Sequence, residues 1–196
     1  LTYAEKLRAK KEREEATQKL FRAVSLNKIA NVKELLEKGA DPNVPGKSEF
    51  NGSEMFPVYV AATNKFNEVL RLLIEHKANV DAVSPDGGTA LNGAITRMNQ
   101  EAVEELLKGG ADPNKVDQTR FSPLQNAAQF ADSDSGIFDA VLLAEPEIDL
   151  KTSCGTALDF AMTQGQYKTA RRLLNLGADP DLVRDSYQQM FKYVPA

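Results

Sequence analysis

Two short phrases recur along the chain in fixed register, and this repetition constrains the fold more than any other feature. The first phrase runs Gly39-Ala-Asp-Pro-Asn43, Gly110-Ala-Asp-Pro-Asn114 and Gly177-Ala-Asp-Pro-Asp181, with Lys77-Ala-Asn-Val-Asp81 and Pro146-Glu-Ile-Asp-Leu150 as worn copies. The second runs Phe56-Pro-Val-Tyr-Val-Ala-Ala62, Thr89-Ala-Leu-Asn-Gly-Ala-Ile95, Ser122-Pro-Leu-Gln-Asn-Ala-Ala128 and Thr156-Ala-Leu-Asp-Phe-Ala-Met162, and Lys19-Leu-Phe-Arg-Ala-Val24 is its worn first copy. Pro57 to Ala90 is 33 residues, Ala90 to Pro123 is 33, and Pro123 to Ala157 is 34. Within a repeat, the aliphatic residue of the second phrase precedes the glycine place by 19 residues (Leu20–Gly39, Val58–Lys77, Leu91–Gly110, Leu158–Gly177). In the fourth repeat Leu124–Pro146 spans 22, which predicts an insertion of three.

Each phrase has a physical reading. Thr89, Ser122 and Thr156 suit a helix N-cap, with Pro or Ala following at the first helical position. The alanines that follow let neighbouring helices approach closely. Aliphatic pairs mark second helices: Leu35-Leu36, Leu73-Ile74, Leu106-Leu107, Leu142-Leu143 and Leu173-Leu174. Gly39, Gly110 and Gly177 then stand where a left-handed C-cap wants glycine. One such unit cannot bury its apolar stripe alone; a stack can.

A period near 33 with a Thr-Pro-Leu-x-x-Ala-like phrase resembles the ankyrin family over about residues 16–181. The fourth place of that phrase departs from the family's histidine: Phe21, Tyr59, Asn92, Gln125 and Asp159 occupy it. The resemblance implies an all-α solenoid of five helix–loop–helix repeats with projecting hairpin loops. The repeats are expected at about 16–43, 53–81, 86–114, 119–150 and 153–181. Residues 1–15 read as a charged N-terminal helical extension. Residues 182–196 read as a C-terminal capping helix, because Tyr187, Met190, Phe191 and Val194 share one helical face.

Two connections exceed the period. Val44–Met55 carries about five extra residues, including the turn signals Pro45-Gly46 and Asn51-Gly52 and the apolar Phe50 and Met55. The second is the insertion near Asp132-Ser-Asp-Ser-Gly136. Asp132-x-Asp134-x-Gly136 is half of a calcium loop, but Ser135 and Leu143 stand where further ligands belong.

Catalysis has no candidate set. His76 is the only histidine, which leaves a serine triad or a zinc site little to assemble from, and it sits where His favours a helix C-terminus. Cys154, the only cysteine, reads as an exposed turn thiol with no base beside it. The expectation is no enzyme, no catalytic residue, no cofactor and no metal.

What remains is binding. The resemblance implies a partner protein held on the hairpin tips and the exposed, concave side of the first helices. At those places Arg97, Arg120, Phe121 and Phe130 stand out as interface residue types, with Phe50 and Met55 on the long first finger as a competing site. Such a module binds its partner and inhibits or sequesters it; the alternative is a structural adaptor linking a partner to the N-terminal helix. Residues 1–19 hold six Lys or Arg against four acids, and the remainder 18 against 24. An acidic body argues against nucleic acid and leans toward a partner with a basic patch. No apolar run approaches a membrane span, so no membrane is expected, and the chain alone is expected to be a monomer. One cysteine fits the cytoplasm, the expected compartment, and equally an exported or periplasmic chain, since the sequence opens on Leu1 rather than Met.

Overall fold

The structure, a computed structural model, describes residues 2–49, 52–85, 87–130 and 136–184. Among the described residues, ten α-helices form five pairs: α1 (Tyr3–Ser25) with α2 (Ile29–Glu37), α3 (Pro57–Thr63) with α4 (Asn67–Glu75), α5 (Ala90–Thr96) with α6 (Gln100–Lys108), α7 (Pro123–Phe130) with α8 (Gly136–Leu143), and α9 (Ala157–Thr163) with α10 (Tyr167–Asn175). The first helices of the pairs stack in order, α1 on α3, α5, α7 and α9. The second helices α2, α4, α6 and α8 stack behind them, and α10 packs on α9. The chain is an all-α repeat solenoid. Among the described residues, strand is confined to β1 (Gly46–Lys47) paired antiparallel with β2 (Glu54–Met55), plus single bridges Val83–Thr89 and Thr152–Gly155.

Helix α1 begins with a capping box between Thr2 and Glu5. Residues 2–15 are exposed and carry the i,i+4 pairs Arg8–Glu12 and Lys10–Glu14. Burial begins at Ala16 and continues through Leu20, Phe21, Ala23 and Val24. One continuous helix is therefore solvated in its first half and part of the solenoid core in its second. The proposed cap at Tyr187, Met190, Phe191 and Val194 lies outside the described residues.

The caps follow the sequence chemistry. Thr89 Oγ1 accepts from Asn92 N, Thr156 Oγ1 from Asp159 N, and Ser122 Oγ from Gln125 N. The glycine place has positive φ throughout: 85° at Gly39, 66° at Lys77, 90° at Gly110 and 95° at Gly177. In the fourth repeat the left-handed residue is Glu145, with φ 54°, and not Pro146. The insertion there is accordingly two residues, from Leu124 to Glu145, not three. The helix pair shifts with it: Val141 is buried, Leu142 half-buried, and Leu143 is 83% exposed. A proline cannot adopt positive φ, so Pro146 takes the buried place held by Ala40, Ala78, Ala111 and Ala178.

The Asp-Pro-Asn phrase builds a ladder between repeats. In each copy the fifth residue accepts a hydrogen bond from the third residue's N–H in the next copy. Asn79 N donates to Asn43 Oδ1 at 2.6 Å, Asp112 N to Asp81 Oδ1 at 3.0 Å, Glu147 N to Asn114 Oδ1 at 2.8 Å, and Asp179 N to Asp149 Oδ1 at 3.0 Å. Thr17 Oγ1 supplies the first rung, to Asp41 N at 2.9 Å. A short polar side chain is required at the fifth place because it must reach one repeat onward.

The variable fourth place also has one role, met by different chemistry. It fixes the next hairpin. Phe21 and Tyr59 lie against Gly46 and Gly88; a Cβ on either glycine would sit 2.1 Å from Phe21 Cγ or 2.8 Å from Tyr59 Cε2. Asn92 Nδ2 donates to Phe121 O at 3.0 Å. Gln125 Nε2 donates to Gly155 O at 2.6 Å and Leu150 O at 3.1 Å. Asp159 Oδ1 accepts from Arg184 N at 2.9 Å.

Candidate protein-binding groove

Because first helices and hairpins share one side, they enclose a groove of about 720 Å³ running from the second to the fourth repeat. Its floor is Tyr59 and Thr63 of α3, Asn92 and Thr96 of α5, and Asn126 and Gln129 of α7. Met55, Asp117, Thr119 and Phe121 of the fingers form one wall, and Arg97 and Phe130 stand at helix ends. A second groove, about 410 Å³, lies under the first finger against Phe21, Leu26, Lys47 and Val60. Met55 and Asn64 line both, so the two adjoin.

Local chemistry fixes these positions. Thr63 and Thr96 bond back to Tyr59 O and Asn92 O, at 2.8 and 2.9 Å, which holds their methyls toward the groove's neighbours rather than leaving rotors free. Gly93 lies mid-helix because any Cβ there would be 2.6 Å from Thr63 Cγ2. Asp117 ties its finger by accepting from the Thr119 hydroxyl at 2.5 Å and from Phe121 N at 3.3 Å.

Four of the six residues singled out in the sequence line this groove: Met55, Arg97, Phe121 and Phe130. Their environments differ. Phe130 is 46% exposed, whereas Phe121 is half-buried, with its ring centroid 5.1 Å from that of Phe160 at an interplanar angle of 53°. Met55 is half-buried against the core. Arg120 is turned away from the groove: its backbone is left-handed, φ 70°, and Nη1 donates to Ser153 Oγ at 3.3 Å. Phe50 lies outside the described residues. Sequence reasoning passed over Tyr59 and Asn126 as groove residues, although Tyr59 was visible as a fourth-place aromatic.

The first helices α3, α5 and α7 that floor the groove carry no charged residue. Acids crowd the second helices: Glu34 and Glu37 on α2, Glu68 and Glu75 on α4, Glu101, Glu104 and Glu105 on α6, and Asp139 on α8. The groove instead holds Arg97, whose side chain makes no hydrogen bond or ion pair among the described residues, and Asp117, which its own finger occupies. These eight acids share the second helices with six bases, Lys33, Arg71, Lys108, Lys168, Arg171 and Arg172, so much of the chain's acid excess lies in the connections. On α2, away from the groove, Lys38 beside Glu34 holds that carboxyl below its usual range and is itself raised by it.

Chemistry of other kinds has little material. His76 caps α4, with Nδ1 2.9 Å from Leu72 O. Cys154 is half-buried against the core, not the exposed thiol its turn position suggested. Among the described residues no group of three or more His, Cys, Asp or Glu could hold a metal, and no helix is long and apolar enough to cross a membrane. Asp132 and Asp134 lie outside them.

Comparison with known proteins is consistent along the array. The pattern of ankyrin repeats (3 copies) matches residues 20–117 and 98–184. The human transient receptor potential cation channel subfamily A member 1 is 38% identical over 107 residues, 54% of this chain and 9% of that protein. The bovine mitochondrial disaggregase is 36% identical over 128 residues, 61% of this chain and 18% of that protein. Human SH3 and multiple ankyrin repeat domains protein 1 is 32% identical over 124 residues, 63% and 6%. The chain thus spans less than a fifth of these relatives' lengths. Ankyrin repeats are a general protein–protein interaction module, and proteins built of them alone are in general not enzymes. Two interlocking matches covering residues 20–184, a five-fold stack and the conserved cap chemistry converge: the chain belongs to the ankyrin-repeat family.

Proposed function

We propose that the chain binds a partner protein in the groove between its first helices and fingers, centred on the second to fourth repeats. The observation that supports this most is the gathering of Met55, Arg97, Phe121 and Phe130, from four separate segments, on one groove. Aromatic and arginine side chains are the types that carry interface energy, and a recessed groove lets them desolvate fully. Inhibition or sequestration of the partner follows if the groove covers the partner's own working surface. The finger that carries Arg120, turned toward Ser153, and the first finger with Phe50 extend the contact beyond the groove.

Photo-crosslinking tests the placement. Benzoylphenylalanine at Phe130 should capture a partner that the same group at Tyr167 of α10 does not. Capture from Tyr167 alone would contradict the reading. One observation favours a second use of the chain: Tyr3 and Leu7 are 83% and 57% exposed on the solvated first half of α1. An adaptor would cross-link a different protein from Leu7 than from Phe130.

A further inference from the structure

The groove floor carries more hydrogen-bonding capacity than the solenoid uses. Asn92 is 2% exposed and gives Nδ2 to Phe121 O, yet its Oδ1 has no partner. Gln129 Oε1, one repeat on, is also buried and unpartnered. Asn126 is 4% exposed, lines the groove, and its amide makes no hydrogen bond among the described residues. Buried amides elsewhere in the same array are used: Asn99 bonds Ala62 O and Asn67, and Gln125 bonds three acceptors. The unpartnered buried amides therefore share the groove with Arg97, whose side chain has no partner among the described residues, while the unpartnered hydroxyls of Ser84 and Thr169 lie elsewhere. Buried acceptors are costly unless something donates to them.

Resting on the reading of the groove as the partner site, we propose that its occupant is an extended segment of a partner polypeptide, carrying an acidic side chain for Arg97. A backbone in extended form offers N–H and C=O groups in a row, and side-chain amides can pair with both. The open acceptors on α5 and α7 take backbone N–H groups, and Arg97 at the end of α5 takes the carboxylate in a charge-assisted pair. A nucleic-acid strand would need a row of cations, and a folded convex surface would not reach amides set below the rim. The acids of the second helices stand behind the groove floor beside six bases and so leave this attraction intact.

The test uses the full chain and a display library of random dodecapeptides. Enriched peptides should carry Asp or Glu and lose roughly tenfold or more in affinity to Arg97→Glu. Exchanging the peptide's acid for Lys should restore binding to that variant. N-methylation of one peptide amide should weaken binding to the wild-type chain and cost nothing further in Gln129→Leu, as a shared hydrogen bond requires. Enrichment of neutral or basic peptides, indifference to Arg97→Glu, or no enrichment would overturn the proposal. Thr63→Arg, which fills the groove, separates the two levels. Peptides that fail on chemistry but are still lost to Thr63→Arg overturn this inference alone; peptides indifferent to Thr63→Arg overturn the groove as well.

Discussion

Gln125 is fully buried, and its amide is fully spent: Oε1 accepts from Ser122 N at 2.8 Å while Nε2 reaches the next hairpin. Gln125→Leu would leave Leu150 O and Gly155 O without that donor, at about 2 kcal/mol of stability, read as a lower urea midpoint at unchanged slope. Gln125→His, the family's usual residue, should recover much of it, because an imidazole can make the same crossing. The two phenylalanines of the groove divide differently. Phe121 packs on Phe160, so Phe121→Ala should cost about 2–3 kcal/mol of stability as well as affinity. Phe130 is exposed, so Phe130→Ala should change stability by less than about 0.5 kcal/mol and act on binding alone. Melting and affinity on the same two variants check the division. The residue type was legible in the sequence; the inward tilt of Phe121 was not, because a hairpin's exposure depends on how its turn closes. Arg120 shows the same limit, since its left-handed backbone aims it at Ser153.

At the scale of elements, the ladder of third and fifth residues explains why the Asp-Pro-Asn phrase recurs. Asn114→Ala removes one rung and should cost about 1 kcal/mol, because Glu147 N loses its acceptor. Glu145→Gly should instead raise stability by about 1 kcal/mol, since a glycine occupies φ 54° without strain. A repeat whose cap is Pro146 would predict no gain there. That cap was misread because no glycine marks it, and proline drew the register one residue too far. Where a phrase keeps its glycine the helix ends were readable; where a different residue is forced into left-handed backbone, only the geometry reveals it. The varied fourth place was likewise opaque, since Phe21, Asn92 and Asp159 share a reach and not a chemistry. Truncating residues 1–13 should reduce the helical signal and leave the unfolding midpoint of the array unchanged, because burial starts only at Ala16.

The whole molecule is two layers of helices, and the first helices α3, α5 and α7 that floor the groove carry no charged residue. The second helices hold eight acids against six bases and the connections supply much of the net charge of −4, while Arg97 is the groove cation whose side chain has no partner among the described residues. Whole-chain composition therefore pointed to a basic partner, and the layer that faces a partner argues for an acidic one. Composition sums over surfaces that never meet the same ligand; only the stacking of first helices on one side separates them. That segregation makes the central claim testable by charge reversal on the two faces. The measurement is the affinity of the cross-linked partner for Arg97→Glu combined with Phe130→Ala, beside Glu68→Lys combined with Glu75→Lys on α4. All four positions are exposed, so both chains should fold with wild-type midpoints. If the groove is the site, the first pair weakens binding at least tenfold, about 1.4 kcal/mol, and the second leaves it unchanged. Loss of binding in the α4 pair with the groove pair intact would contradict it.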